Sequence, residues 1–301
     1  MQENALTNIP FRSKHTLLEV LHALLFLSLG IPVLIFGIYG VIIFYYGKLK
    51  KNEREGTSEC NERVKFEPFV SIVVPTHNEE MIISKKTENF LASNYNQGKL
   101  EIIFVDDSND STPEIIQEYS KRSPNIRLIR FHKRMGYSPS TIAGCKAAEG
   151  EIIVLSDAGS FLDAQAIPNL VAHFRNPNIG VVTGNDVILN VNEEVGKSES
   201  LYVKILNFLR TAETRMDSTF FIKGEATAVR RDLIKDLETC SETFDTTVGL
   251  LGRQKGYRTV YDSQVKFYEY APITHSDRTK QKTIRAANLV KVLLRFRHMM
   301  F

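Results

Sequence analysis

The stretch Glu151-Ile-Ile-Val-Leu-Ser-Asp157-Ala-Gly159 is a run of apolar residues that ends on a carboxylate. Two earlier stretches share this form: Val70-Ser-Ile-Val-Val-Pro75-Thr-His-Asn-Glu79 and Glu101-Ile-Ile-Phe-Val-Asp106-Asp107. A short continuous apolar run reads as a strand covered on both faces, the habit of parallel sheets. Three such strands, each delivering acidic or polar groups at its C-terminal end, describe an open α/β sheet. Ligands of such sheets sit just beyond the carboxyl ends of the strands. Carboxylates gathered there repel one another, so a cation or a donor-rich ligand is expected to share the site.

The pattern continues along the chain. Helical segments are expected over 81–92, 113–120, 140–148 and 165–174, alternating with strands over 126–131, 152–155 and 179–183. Asp110-Ser-Thr-Pro113 has the form of a helix start, an acceptor followed by proline in the first turn. Strand and helix in alternation imply parallel pairing. The second half is less regular: a helix over 199–216, a strand or loop over 220–229, a helix over 246–255 stopped by Gly256, then short strands at 257–261 and 264–268.

With 301 residues, 43% of them hydrophobic, the chain can fill one large or two ordinary domains. A net charge of +3 is too small to argue for nucleic acid as a partner, but its distribution is uneven. From residue 278 to 301 there are seven Lys and Arg and no acid. The three cysteines, Cys60, Cys145 and Cys240, are far apart and form no C-x-x-C, which speaks against a disulfide framework or a zinc site and fits a reducing compartment.

Residues 23–44 carry no charge over 22 positions. As a helix they would span roughly 33 Å, enough for a bilayer core. A signal peptide is the rival reading, but its apolar region typically runs only ~7–15 residues. Lys48, Lys50, Lys51 and Arg54 follow the span, against Arg12 and Lys14 before it, so the positive-inside rule puts the C-terminal side in the cytoplasm. The expected organisation is a tail (1–15), a transmembrane helix (16–47), a juxtamembrane linker (48–67), a globular domain (68–270) and a basic amphipathic segment (271–301). In that last segment Arg285, Asn288, Lys291, Arg295 and His298 form one helical stripe, and Leu289, Val290, Val292, Leu293, Leu294 and Phe296 cover most of the rest. Such a helix suits an anionic membrane surface; a core-packing helix is the plainer alternative.

Val73-Val-Pro-Thr-His-Asn-Glu79, Val105-Asp-Asp-Ser-Asn-Asp-Ser-Thr112 and Leu155-Ser-Asp157-Ala, in this order, resemble the GT-A fold of family 2 glycosyltransferases. Gly224-Glu-Ala-Thr-Ala-Val-Arg230-Arg231 resembles the family's acceptor-side segment, and Glu242-Thr-Phe-Asp245 its acidic catalytic motif. Lys280-Gln281-Lys-Thr-Ile-Arg285 resembles the Gln/Arg motif of its membrane-bound branch, the cellulose and hyaluronan synthase type. The resemblance covers roughly residues 68–285. It implies a mixed, mainly parallel sheet flanked by helices, behind the N-terminal transmembrane helix. It implies an inverting enzyme, a hexosyltransferase type, that moves a sugar from a nucleotide-diphospho-sugar to a lipid-linked or glycan acceptor, with Mg²⁺ or Mn²⁺ as cofactor. Membrane lipids are the further expected partners.

The resemblance also implies roles. Asp157 would hold the metal, which neutralises the departing diphosphate. Thr76, Glu79, Asp106 and Asp107 would hold base and ribose, since carboxylates accept from N–H and hydroxyl donors. Asp245 would act as general base on the acceptor hydroxyl. Gly224, Arg230, Gln281 and Arg285 would lie on the acceptor side. Each has a plainer reading: turn formation for Asp106 and Asp107, strand-end capping for Asp157, a helix N-cap for Asp245. Four positions depart from the family pattern: Gly159 stands in place of a second acid, Tyr137 in place of the lysine of a Gly-Lys pair, Phe244 in place of an acid before Asp245, and Ile284 where the Arg of the Gln/Arg motif is expected; the sequence also has no Trp, the aromatic common in that motif of polymer-forming members. Lys133 or Arg134 would have to supply the lost charge. These departures motivate an alternative, a catalytically inactive relative that binds nucleotide or glycan within a membrane assembly. A nucleotide-binding domain of another class is disfavoured, because neither G-x-G-x-x-G nor a P-loop follows the first strand.

Overall fold

The computed structural model describes residues 66–235, 237 and 243–299, together with residues 19, 28, 30, 34, 37–43 and 45. The order of elements is β1 (Val70–Thr76), α1 (Ile83–Leu91), β2 (Leu100–Asp106), α2 (Thr112–Arg122), β3 (Ile126–Arg130), α3 (Tyr137–Ala147), β4 (Ile152–Leu155) and β5 (Phe161–Leu162). Then follow α4 (Ala166–Ala172), β6 (Ile179–Ile188), α5 (Glu194–Met216), β7 (Thr227–Arg230), α6 (Phe244–Gln254), β8 (Arg258–Glu269) and α7 (His275–Arg295). One eight-stranded sheet has the order β3-β2-β1-β4-β7-β6-β8-β5.

The three strands read from apolar runs pair as expected: β1 lies between β2 and β4, parallel to both, and β3 pairs parallel with β2. The second half makes the sheet mixed, because β7 runs antiparallel to both β4 and β6. The two short strands expected near residue 260 are one strand, β8, whose register against β6 shifts at Thr183/Asn185. The two-residue β5 was not legible in the sequence, being too short to show any periodicity.

Side chains alternate across the sheet. Val70, Ile72, Val74, Ile102 and Phe104 face α1, α2 and α4, through Ile83, Phe90, Ile116 and Leu170. Val73, Ile103, Val105, Ile153 and Leu155 face α3 and α6, through Ile142, Cys145, Phe244 and Val248. Each such fully buried side chain contributes roughly 1.5–3 kcal/mol. Helices on both faces leave the strand ends as the open surface where a ligand can reach the backbone.

Most of the expected transmembrane span, and the linker after it, lie outside the described residues. Among the described residues no helix is long and apolar enough to cross a membrane. Those of the span that are described, residues 28, 30, 34 and 37–43, are helical. Of these Ile43 is buried, and the Tyr39 hydroxyl donates to Glu213 of α5.

Candidate active site

A cleft of about 410 Å³ opens at the C-terminal ends of β1, β2 and β4. Its lining includes Thr76, Glu79, Asp107, Asp157, Gln281 and Arg285 of the residues expected at the site. The sheet order explains the convergence: β1 is central, so the loops after β1, β2 and β4 are neighbours although they are far apart in sequence.

The loops after β1 and β2 are clasped together. Asn78 adopts a left-handed backbone conformation with φ 58°, which asparagine tolerates better than most residues. From there its N–H donates to Ser108 Oγ at 2.8 Å, and its Oδ1 accepts from the Asn109 N–H at 2.9 Å. Asp110 Oδ1 accepts from the Thr112 N–H at 3.0 Å and so supplies the acceptor at the start of α2. Within this frame Asp106 is fully buried: its Oδ1 accepts from Thr76 Oγ1 at 2.9 Å and from Ser108 Oγ at 2.6 Å. It orders the two loops and is not among the residues that line the cleft.

Asp107 is a hub. Its Oδ1 pairs with His77 Nδ1 and with Arg134 Nη1, both at 2.8 Å, and its Oδ2 accepts from the N–H groups of Met135 (2.7 Å) and Gly136 (3.1 Å). Although burial works against it, these donors, led by the Met135 and Gly136 N–H groups and Arg134, hold the Asp107 carboxyl below its usual range. Both oxygens are thus engaged by the 134–136 loop. Of the two cations expected to replace the missing lysine, Arg134 lines the cleft, held by Asp107, and Lys133 is not among its lining.

Gly136, with φ 88°, caps α3 in a conformation that L residues rarely adopt. Tyr137 follows as the first residue of α3, and its hydroxyl donates to Asp157 Oδ1 at 2.9 Å. Burial, then the charges of Asp157 and Asp245, keep that hydroxyl protonated well above its ordinary value. Burial, then the nearby Glu225 carboxylate, raises the Asp157 carboxyl. Gly159 is exposed in the same cleft with open space around it, so the missing second acid leaves a gap.

Beneath Asp157 lies a residue that sequence reasoning missed. Lys86 of α1 is fully buried, and its Nζ donates to Ser156 Oγ at 2.9 Å and to the Ser160 carbonyl. Burial pushes its ammonium down from its usual range. Asn89, one turn on, exchanges two 2.8 Å hydrogen bonds with the backbone of Leu162. Helix α1 therefore holds the 156–162 loop on both sides of Asp157. The signal was present: Ile83, Lys86, Thr87 and Phe90 are spaced as one buried helical face.

On the other side of the cleft Glu225 lies 3.5 Å from Arg285 of α7. Lys223 pairs with Asp186 at 3.1 Å and with Glu269 at 3.4 Å, fixing the segment that leads into Gly224. Asp245 is not an N-cap; Thr243 occupies that position and Asp245 sits in the first turn of α6. Its Oδ1 accepts from the Thr246 N–H at 2.7 Å and its Oδ2 from the Gly224 N–H at 3.1 Å. Burial raises the Asp245 carboxyl to about 6, with Glu225 adding to the shift. Asp245 stands beside the cleft rather than in its lining. A Cβ on Gly224 would come 2.8 Å from Tyr137 Oη and 3.6 Å from Asp245 Oδ2, so both oxygens sit against the same small residue. Arg230 is not brought to the site. Strand β7 runs away from the cleft, and at its far end the Arg230 guanidinium donates to the carbonyls of Phe174, Asn176 and Ile179.

Among the described residues no three His, Cys, Asp or Glu side chains form a cage for a metal ion. The donor set nevertheless suits a hard divalent cation. Asp157 offers carboxylate oxygen, and burial together with the nearby Glu225 charge raises its carboxyl, a penalty that a cation relieves. Mg²⁺ is commonly held by one or two carboxylates, with substrate phosphates and water completing its shell.

The chain belongs to glycosyl transferase family 2, whose sequence pattern matches residues 71–238. It is 26% identical over 267 residues to the poly-beta-1,6-N-acetyl-D-glucosamine synthase of Staphylococcus aureus (strain COL), across 87% of this chain and 64% of that protein. The synthase of the same name from Staphylococcus epidermidis is 26% identical over 231 residues, covering 75% of this chain and 56% of the relative. The chain thus spans less than two thirds of the length of these curated relatives. Among solved structures, the mannosyltransferase PcManGT from Pyrobaculum calidifontis, in complex with GDP-Man and Mn²⁺, superposes with a TM-score of 0.66 at 24% identity, over 86% of this chain and 74% of that one. S. aureus TarS 1-349 in complex with UDP-GlcNAc gives 0.52 at 18%, over 67% and 58%. The fold is of the GT-A type.

Proposed function

We propose that this chain transfers a sugar from a nucleotide-diphospho-sugar to a hydroxyl acceptor, with inversion at the anomeric carbon. The observation that carries this reading is the juxtaposition of Asp157, Tyr137, Gly224 and Asp245, which sets a candidate metal ligand and a candidate base around one glycine. Asp245 takes the proton of the acceptor hydroxyl as its oxygen attacks the anomeric carbon. The bond from that carbon to the diphosphate oxygen breaks, and the diphosphate leaves with the electron pair. A carboxyl poised near 6 is ionised at neutral pH yet more basic than a free aspartate, which suits a general base. A divalent cation, when bound, neutralises the leaving diphosphate, and Asp157 is the residue to hold it. Thr76, Glu79 and Arg134 line the end of the cleft suited to the nucleotide, with Asp107 holding Arg134 in place. Gln281 and Arg285 close the opposite side.

The names of the relatives support an N-acetylglucosamine or mannose donor and a polysaccharide or glycolipid product. Because Ile284 departs from the Gln/Arg motif and the chain contains no Trp, transfer of single sugars is the reading favoured here. We place the catalytic domain on the cytoplasmic side of a membrane, anchored by residues 23–44 and acting on a lipid-linked or glycan acceptor. The uncharged span and the basic α7, whose Val290 and Leu294 are exposed, support this placement. The test is a melting-temperature screen with UDP-N-acetylglucosamine and GDP-mannose, with and without Mn²⁺, followed by release of free nucleotide. A Mn²⁺-dependent rise with one donor and its turnover is expected. Tight donor binding without turnover would favour the non-catalytic reading, which the gap at Gly159 motivates.

A further inference from the structure

Tyr137 stands where the residues around it call for a hydrogen-bond donor. Its backbone is fixed twice over: Gly136 turns the chain at φ 88°, and Asp107 grips the N–H groups of Met135 and Gly136 just ahead of it. Tyr137 is 42% exposed, and its hydroxyl reaches Asp157 Oδ1 at 2.9 Å. Asp157 projects into a cleft that also contains the Glu225 and Glu269 carboxylates. A carboxylate in such company gains from a hydrogen-bond donor whenever no cation is present, because the neighbouring negative charges repel its own.

A lysine would meet that need with a full charge and would repel an arriving cation. A phenol meets it with a dipole. It satisfies the carboxylate in the metal-free protein, carries no charge, and surrenders the oxygen when a stronger Lewis acid competes for it. Space on the far side is limited: Gly224 approaches so closely that a Cβ there would lie 2.8 Å from Tyr137 Oη.

Resting on the reading of Asp157 as the metal ligand, we propose that Tyr137 is a positioning residue that holds Asp157 in the metal-free protein and competes with the divalent cation for its carboxylate. Tyr137 thereby sets how tightly the metal binds, and the 2.9 Å bond is the contact the metal must displace or share.

The test titrates Mn²⁺ alone into the full-length chain, following free Mn²⁺ by electron paramagnetic resonance, in the native protein and in Tyr137→Phe and Asp157→Asn. Tyr137→Phe keeps the ring and removes only the donor. It is expected to bind Mn²⁺ roughly 3- to 10-fold more tightly, the range of one hydrogen bond's net contribution. Its Mn²⁺-induced rise in melting temperature is expected to exceed that of the native chain, since its metal-free form starts without the bond. Asp157→Asn is expected to bind at least about tenfold more weakly. If Asp157→Asn weakens the metal while Tyr137→Phe leaves affinity unchanged or lower, the competition is overturned and Tyr137 only supports the fold. If Asp157→Asn binds as the native chain does, the metal reading itself fails, and this proposal with it.

Discussion

Asp245 differs from a surface aspartate in a way that a pH profile detects. Burial is the largest cause raising its carboxyl to about 6, with the Glu225 charge adding and the Thr246 and Gly224 N–H groups and Arg285 opposing. A base works only when ionised, so transfer is expected to fall as the pH drops through about 6 and to level off above it. Asp245→Asn is expected to cut the transfer rate by roughly 10²–10⁴-fold, the usual range for loss of a general base, with donor affinity nearly unchanged in calorimetry. The Asn carboxamide oxygen can still accept from the Thr246 N–H, so α6 is expected to keep its first turn. Parallel loss of donor binding and turnover would move Asp245 to the nucleotide side. The same scale separates residues alike in sequence: Asp106 and Asp107 are adjacent, yet one is sealed under Thr76 and Ser108 while the other organises the cleft wall.

Among the elements, α3 has the least tolerance. Gly144 faces β1 and β2 so closely that a Cβ would lie 2.5 Å from Val73 Cγ1 and 2.8 Å from Val105 Cγ2. Neither valine has room to turn, both being fully buried in the core. Gly144→Ala is therefore expected to destabilise the protein by about 1–3 kcal/mol, the cost of overpacking, seen as a lower urea midpoint with unchanged slope. It is also expected to lift the start of α3, loosening the Tyr137–Asp157 bond and so tightening Mn²⁺ binding. Helix α1 does the complementary work on the opposite face of the sheet, through Lys86 and Asn89. The two helices bring the Asp157 loop and its phenolic partner together from opposite layers.

At the scale of the whole molecule, the proposed membrane placement depends on the surface that α7 leaves exposed. The start of α7 is tied to the domain, since Arg278 and Lys282 both pair with Glu199 of α5, at 2.8 and 2.9 Å. Further on only Val292 is buried within the helix, while Val290, Lys291, Leu294 and Arg295 are exposed. The core-packing reading of α7 accounts for the buried Val292 and Phe296 and the half-buried Leu289 and Leu293, but it leaves Val290 and Leu294 exposed. A chain lacking residues 1–47 is expected to bind anionic vesicles at low salt and to be released by salt. Changing Lys291, Arg295 and Arg297 to Gln is expected to weaken that binding roughly a hundredfold, at about 1 kcal/mol for each basic residue. Equal binding by the triple variant in a vesicle flotation assay would mean that the helix does not meet the lipid surface.

What the sequence determined by itself is local and periodic. The apolar runs ending at Thr76, Asp106 and Leu155 defined the parallel core and the end of it that binds, because strands covered on both faces are continuous in hydropathy and their C-terminal loops must carry the chemistry. Lys86 was legible too, on the buried face of its helix. Only the tertiary structure decided what depends on chain direction and distance. It turned β7 antiparallel, which took Arg230 away from the cleft while keeping Gly224 beside it. It sealed Asp106 under Thr76 and Ser108 and set Asp107 in the cleft wall. It set Tyr137 against Asp157, twenty residues away, through a helix packed close on the sheet by Gly144. No spacing rule contains such contacts, because they arise where separate loops meet at the edge of a common sheet.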